Sequence, residues 1–157
     1  MWTRDGQEGR FLAVLEALAP KHGETLLDYG CGTGELSEFT HPRTPYTGVD
    51  WSRGMIARAR LEHPGKRFAT YTGSETFDLV ACVGTFNLPG SLRETWLGLA
   101  DLWDRTRRSL AACLYAGEDQ NCLRYTQSQV LRFAEQHASD FTVNKHRPND
   151  ILLVMNR

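Results

Sequence analysis

The sequence has little that would point to metal binding, export or a highly charged partner. Its four cysteines, at 31, 82, 113 and 122, include no C-x-x-C pair, which removes the usual zinc and redox spacings. Three of them sit inside apolar segments, where a reduced thiol behaves as a small hydrophobe. That usage reads as a reducing cytosol rather than a disulfide framework. The five histidines, at 22, 41, 63, 137 and 146, form no H-x-x-x-H or Cys/His spacing, so no metal is expected. No apolar run approaches the ~20 residues of a membrane span, and the start, MWTRDGQEGRF, is polar; neither membrane nor signal peptide is expected, and the localisation reads as cytoplasmic. A formal net charge of −1 gives no global field toward phosphate backbones and makes an extended nucleic acid a less favoured partner. One short cationic run, Arg105, Arg107 and Arg108, reads as a solvated helix end. Repeats, low-complexity tracts and linkers are absent.

What is present is an alternation of strands and helices. The chain has 157 residues, 41% of them hydrophobic, which suits one domain over 1–157 with a sizeable core. A helical face over 7–19 carries Phe11, Leu12, Leu15 and Leu18. Strands are predicted at 25–29, 46–50, 67–71, 77–83 and 110–115. Helices are predicted after Ser52, a candidate N-cap, and over 91–107 and 127–138. The third and fourth strands are joined by only about five residues, far fewer than a parallel crossover needs. They therefore belong on opposite sides of the first strand. Segments 141–145 and 151–156 are also too close for a crossover, and read as an antiparallel hairpin.

The strongest local signal is LLDYGCGTGEL at 26–36. Gly30, Gly32 and Gly34 stand where a buried strand turns toward a helix, and glycine there permits positive φ and close backbone approach to a ligand. Asp50 ends the next strand, about 20 residues later, the spacing of the acid that grips ribose hydroxyls in nucleotide folds. A carboxylate offers two acceptor oxygens to two vicinal hydroxyls. Nicotinamide and flavin cofactors are the rivals, but their fingerprint is G-x-G-x-x-G with a pyrophosphate on the helix start. Here the order is G-C-G-T-G, and Asp28 precedes it by two. A negative charge disfavours pyrophosphate and suits a ligand with a cationic end, such as the sulfonium and amino group of S-adenosyl-L-methionine (SAM).

These residues resemble the class I SAM-dependent methyltransferases. LLDYGCGTG is similar to that superfamily's first motif, YTGVDWS to its second-strand acidic motif and FDLVACVGTFN to its fourth-strand motif. More narrowly, the chain resembles a family of small single-domain bacterial and phage methyltransferase-like proteins of undefined substrate. Their N-terminal W-S-x-E-x-Q-x-x-R-F is matched by Trp2, Thr3, Gln7, Arg10 and Phe11, with Asp5 in the acidic place, their G-I-F-N-L by Gly84 to Leu88, and their P-N-D by Pro148, Asn149 and Asp150. The resemblance implies a Rossmann-like α/β three-layer sandwich: a mostly parallel seven-stranded sheet of order 3-2-1-4-5-7-6, closed by a C-terminal antiparallel hairpin. It implies SAM as cofactor, with Asp28, Gly30, Cys31 and Gly32 at the methionine half, Gly34 also in the cofactor site and Asp50 on the ribose. Trp51 and Met55 would flank the adenine, with Thr72, Gly73, Val83 and Gly84 completing the site. Arg10 would pair the SAM carboxylate through its guanidinium fork, with Gln7 one turn earlier. Many members carry an acid after the third strand for the adenine amino group; here that stretch, ATYTGSET, has none before Glu75. Glu75, a hydroxyl, a backbone group or stacking alone would have to replace it.

Methyl transfer is an in-line displacement that positioning can accelerate without a base. The catalytic residue is therefore left open, with Asn87, Tyr115 and His146 as candidates. Asn87-Leu88-Pro89 is similar to the N-P-P-Y signature of nucleic-acid amino methyltransferases, but the second residue differs and the aromatic is missing. The near-neutral charge and the lack of an inserted domain favour a small-molecule or nucleotide-like acceptor over an extended nucleic acid. Two function classes stand: an active methyltransferase, and a non-catalytic binding or regulatory protein on the same fold.

Overall fold

The structure, a computed structural model, describes residues 4–87 and 90–157; Trp2, Thr3, Leu88 and Pro89 of the motifs above lie outside the described residues. The elements run α1 (Arg4–Leu18), β1 (Leu26–Tyr29), a 3-10 turn (Glu35–Phe39), β2 (Tyr46–Val49), α2 (Arg53–Glu62), β3 (Arg67–Ala69) and β4 (Phe77–Val83). A second 3-10 turn (Thr85–Asn87) leads to α3 (Leu92–Asp104), β5 (Thr106–Tyr115), α4 (Gln127–His137), β6 (Asp140–Arg147) and β7 (Asp150–Asn156).

The strands form one seven-stranded sheet in the order β3-β2-β1-β4-β5-β7-β6. Pairing is parallel from β3 to β5, and β7 runs antiparallel to both β5 and β6. The short β3–β4 connection thus does what its length requires, descending from one side of β1 to the other without a helix. The C-terminal hairpin has only Pro148 and Asn149 at its tip, with a register shift between Lys145 and Arg147.

Each sheet face carries its own core. Phe11, Val14 and Leu18 of α1 and Ile56 and Ala59 of α2 pack with Leu26, Leu79 and Ala81 on one side. Leu99, Leu102 and Trp103 of α3 and Val130, Phe133 and Ala134 of α4 pack with Leu27, Val80, Leu110 and Leu153 on the other. Burial on both faces explains why β4 and the middle of β5 read as continuous apolar runs. The helix starts follow local chemistry. Ser52 accepts from the Met55 amide, and Ser91–Glu94 and Thr126–Gln129 form reciprocal capping boxes, satisfying amides that would otherwise lack partners.

The arginine run departs from the expectation of a solvated helix end. Helix α3 stops at Asp104 and β5 begins at Thr106, four residues earlier than expected. Arg107 pairs Asp78 at 2.8 Å and Arg108 pairs Glu24 at 2.7 Å. Arg105 reaches the Asp101 carboxylate, the Glu75 carbonyl and the Thr72 hydroxyl. Arg107 and Arg108 are thus held by opposite charges far away in sequence, whereas Arg105 pairs within its own helix end and reaches the β3–β4 loop. The Arg107 guanidinium, helped by the Thr25 amide and hydroxyl, holds the Asp78 carboxyl well below the usual carboxylate range. All four cysteines are free thiols. No helix among the described residues is long and apolar enough to cross a membrane.

Candidate cofactor site

Parallel pairing brings the C-terminal ends of β1, β2 and β3 to one rim, where open α/β sheets bind ligands. Gly30, the first residue after β1, has φ 78°, and a side chain there would overlap Thr85. Thr85 in turn donates to the Tyr29 carbonyl at 2.6 Å, locking the turn after β4 against the turn after β1. Gly32 and Gly34 also have positive φ, 55° and 90°, so the loop curls tightly and aims the Gly32 amide across at β2. There Asp50 receives it: its Oδ2 accepts from Gly32 N at 3.0 Å and its Oδ1 from Ser52 N at 2.8 Å. Two backbone amides fix the carboxylate while its remaining lone pairs stay available.

Beside it lies a cleft of about 150 Å³ whose lining includes Gly30, Asp50, Trp51, Tyr71, Thr72 and Asp101. It is smaller than the ~300 Å³ at the low end of ligand pockets. However, Trp51 (80% exposed) and Tyr71 (76% exposed) line it with large uncovered aromatic surfaces. Singly exposed aromatics are ordinary, but two on one narrow cleft suit a flat ligand sliding between elements.

Other residues expected at the site are placed differently. Asp28 is buried and accepts from the Tyr46 hydroxyl at 2.6 Å. Burial pushes its carboxyl up to about 7 despite that hydrogen bond, so near neutrality it carries only part of the charge assumed from sequence. Cys31 is buried as well, and burial raises its thiol. Met55 is half exposed on the first turn of α2. Thr72 lines the cleft, with Gly73 next to it at φ 60°. Val83 ends β4 and Gly84 turns away from it at φ 82°. Gln7 lines a separate 320 Å³ cleft with Arg4, Glu8, Phe11, Glu35, Glu38 and Phe39. Arg10 makes a buried ion pair with Asp150, Nε to Oδ2 at 2.9 Å. Two sequence motifs more than a hundred residues apart thus meet, and the second Asp150 oxygen is buried without a hydrogen-bond partner.

The three catalytic candidates have structural surroundings. Asn87 is buried, and its Oδ1 accepts from the Tyr115 amide at 2.9 Å. The Tyr115 hydroxyl accepts from the Asp119 amide at 3.0 Å. His146 is exposed on β6, inside its register shift. Sequence reasoning did not find Asp101 and Arg105, because nothing in a helix end announces which cleft it will flank.

A mostly parallel sheet in this order, with a glycine turn after its first strand and an acid closing its second, defines the class I methyltransferase fold. The chain belongs to the methyltransferase-domain family, whose model matches residues 4–94; SAM is the cofactor that membership implies. It is 29% identical over 87 residues to the ribosomal RNA small subunit methyltransferase A of Dechloromonas aromatica (strain RCB), a match covering 54% of this chain and 34% of that protein. The matched segment thus spans about a third of that relative's length. Among solved structures, the SAM-bound magnesium protoporphyrin IX methyltransferase of Synechocystis PCC 6803 superposes with a TM-score of 0.75 at 16% identity, over 96% of this chain and 80% of that one. The SAM-bound amino pentose methyltransferase of Micromonospora echinaspora gives 0.74 at 17%, over 96% and 91%. N-methyltransferase NodS of Bradyrhizobium japonicum WM9, with S-adenosylhomocysteine, gives 0.75 at 13%, over 99% and 88%. At such identities the likeness shows the fold.

Proposed function

We propose that this methyltransferase binds SAM across the ends of β1, β2 and β3 and transfers its methyl group to a small or locally recognised acceptor. The observation that carries the reading is the Asp50 carboxylate, oriented by the Gly32 and Ser52 amides at the rim of the aromatic-lined cleft. Asp50 would accept from the ribose hydroxyls, and Trp51, Tyr71 and Met55 would cover the adenine. The turn from Gly30 to Gly34, with Cys31 beneath it, would carry the methionine half. Asp28, buried below that turn, would regain its charge beside a cationic ligand end. Gln7 borders the next cleft and would face the methionine tail, whereas Arg10 would act through Asp150 rather than as a simple carboxylate clamp. Gly34, Gly73, Val83 and Gly84 would shape backbone around the ligand.

Bound SAM supplies a methyl group activated by its sulfonium. The chain's part is to hold that group in line with the acceptor and to exclude water, which alone can supply much of the acceleration. With Asn87 and Tyr115 engaged by backbone amides, the residues nearest the end of β4 serve to position rather than to take a proton. A small acceptor agrees with the net charge of −1 and with neighbours named for a porphyrin and an amino pentose. A nucleotide-like acceptor agrees with the ribosomal RNA methyltransferase match.

Calorimetric titration with SAM, S-adenosylhomocysteine and NAD in one buffer tests the cofactor. The expected result is saturable binding of both adenosyl ligands and none of NAD. Asp50→Ala should weaken the adenosyl ligands by about 1–3 kcal/mol through lost hydrogen bonds to a charged group. Binding of NAD alone, or unchanged affinity in a folded Asp50→Ala variant, would overturn the assignment.

A further inference from the structure

We propose that the adenine base is read along its amino edge by a pair from two different elements, the Asp101 carboxylate on α3 and the Thr72 hydroxyl in the β3–β4 loop, held together by Arg105. The inference rests on the SAM reading above and names what replaces the acid missing after β3.

Glu75 is the nearest acid in the loop, and it is committed elsewhere. Both its oxygens accept from Arg67, each at 2.6 Å, on the exposed surface, and it does not line the cleft. Thr72 and Asp101 do line it. Between them stands Arg105, its side chain only 12% exposed, donating to the Thr72 hydroxyl oxygen and, at 3.4 Å, to Asp101 Oδ2. A third donation, to the Glu75 carbonyl at 3.0 Å, pins the loop against the end of α3.

The roles follow from valence. A guanidinium can only donate, so the Thr72 oxygen is the acceptor in that bond and its own hydrogen must go to another partner. An ionised carboxylate can only accept, and Asp101 is the one acid lining this cleft besides the ribose-directed Asp50. Thr72 and Asp101, both bonded to the Arg105 guanidinium, therefore give this cleft a hydroxyl donor and a carboxylate acceptor. Adenine offers the complement, an amino donor at N6 and a ring acceptor at N1. Hypoxanthine and guanine offer the reverse, a carbonyl at C6 and a hydrogen on N1, which would set a carbonyl against the carboxylate. A mismatched base would set a carbonyl against the Asp101 carboxylate and leave the hydroxyl of buried Thr72 unpaired, which lowers its affinity.

The test compares S-adenosylhomocysteine with its deaminated analogue, S-inosylhomocysteine, by calorimetry. The native chain should prefer the adenosyl ligand by about tenfold or more. Asp101 is exposed on a helix surface, so Asp101→Ala should fold, with thermal melting as the check. It should lower adenosyl affinity about tenfold without lowering inosyl affinity, so the preference collapses. Thr72→Val, which removes the hydroxyl at nearly constant shape, should reduce the same preference. Tight adenosyl binding with the preference intact in Asp101→Ala, or no preference in the native chain, overturns this inference alone. Failure of the native protein to bind either ligand overturns the cofactor reading together with it.

Discussion

The two halves of the sheet are built to different plans. Strands β1, β2 and β3 are three to four residues long, and their ends are held by backbone amides and carbonyls reaching across loops. Strands β4, β5 and β7 are seven to ten residues long and supply half of the buried residues in the large apolar cluster under α3 and α4. The family model, matching residues 4–94, covers the short-strand half together with β4 and ends in the first turn of α3. The proposed ligand would lie over the short strands, whereas the larger of the two buried clusters lies under the long ones. Binding and stability should therefore separate under mutation.

The largest expected effect tests the stabilising half. Leu153 is fully buried in β7, so Leu153→Ala should lower unfolding free energy in urea by about 2–5 kcal/mol. Adenosyl affinity measured on the folded protein should hardly change. A parallel loss of affinity would break the division.

Next comes pH, through Asp28. Its ordinary pKa of 3.8 rises to about 7 in the fold because burial disfavours the charged form. Between these values the folded chain keeps a proton that the unfolded chain has lost. Stability should accordingly fall as pH rises through that window and level off above it, by a total on the order of 4 kcal/mol. Asp28→Asn, which still accepts from the Tyr46 hydroxyl, should flatten this slope. An equally steep slope in the variant would show that other groups cause it.

Gly30→Ala sharpens the comparison within the binding half. Its positive φ and the Thr85 side chain in the way predict an overpacking cost of about 1–3 kcal/mol together with loss of adenosyl binding. Retained affinity would mean that the turn is scaffold rather than site. The smallest effect concerns Glu75, whose pair with Arg67 is exposed and screened by solvent. Glu75→Gln should change neither melting temperature nor adenosyl affinity measurably; weaker binding would return the adenine-reading role to the loop acid.

Much of this was legible along the chain. The short β3–β4 link forced those strands to opposite sides of β1, and the five-residue gap near the end forced a hairpin, because connection length limits topology. The glycine turn and Asp50 were visible because tight backbone curvature after β1 favours glycine and because the proposed ribose contact would need an acid at that spacing. The start of β5 was misplaced, since the amphipathic pattern of α3 runs on into Arg105 and gives no sign that Arg107 and Arg108 have partners at Asp78 and Glu24.

Local pattern and connection length in the sequence determined an alternating α/β fold, the placement of β3 and β4 on opposite sides of β1 and the C-terminal hairpin, while the full strand order came from the resemblance to class I methyltransferases. Only tertiary structure decided that Arg10 is spent on Asp150, that Asp28 lies buried under the turn with Tyr46, and that Arg105 brings Thr72 and Asp101 to one cleft. Those are meetings between segments tens to more than a hundred residues apart, and the energy of a charge or hydroxyl depends on what stands beside it in space, which no local pattern encodes.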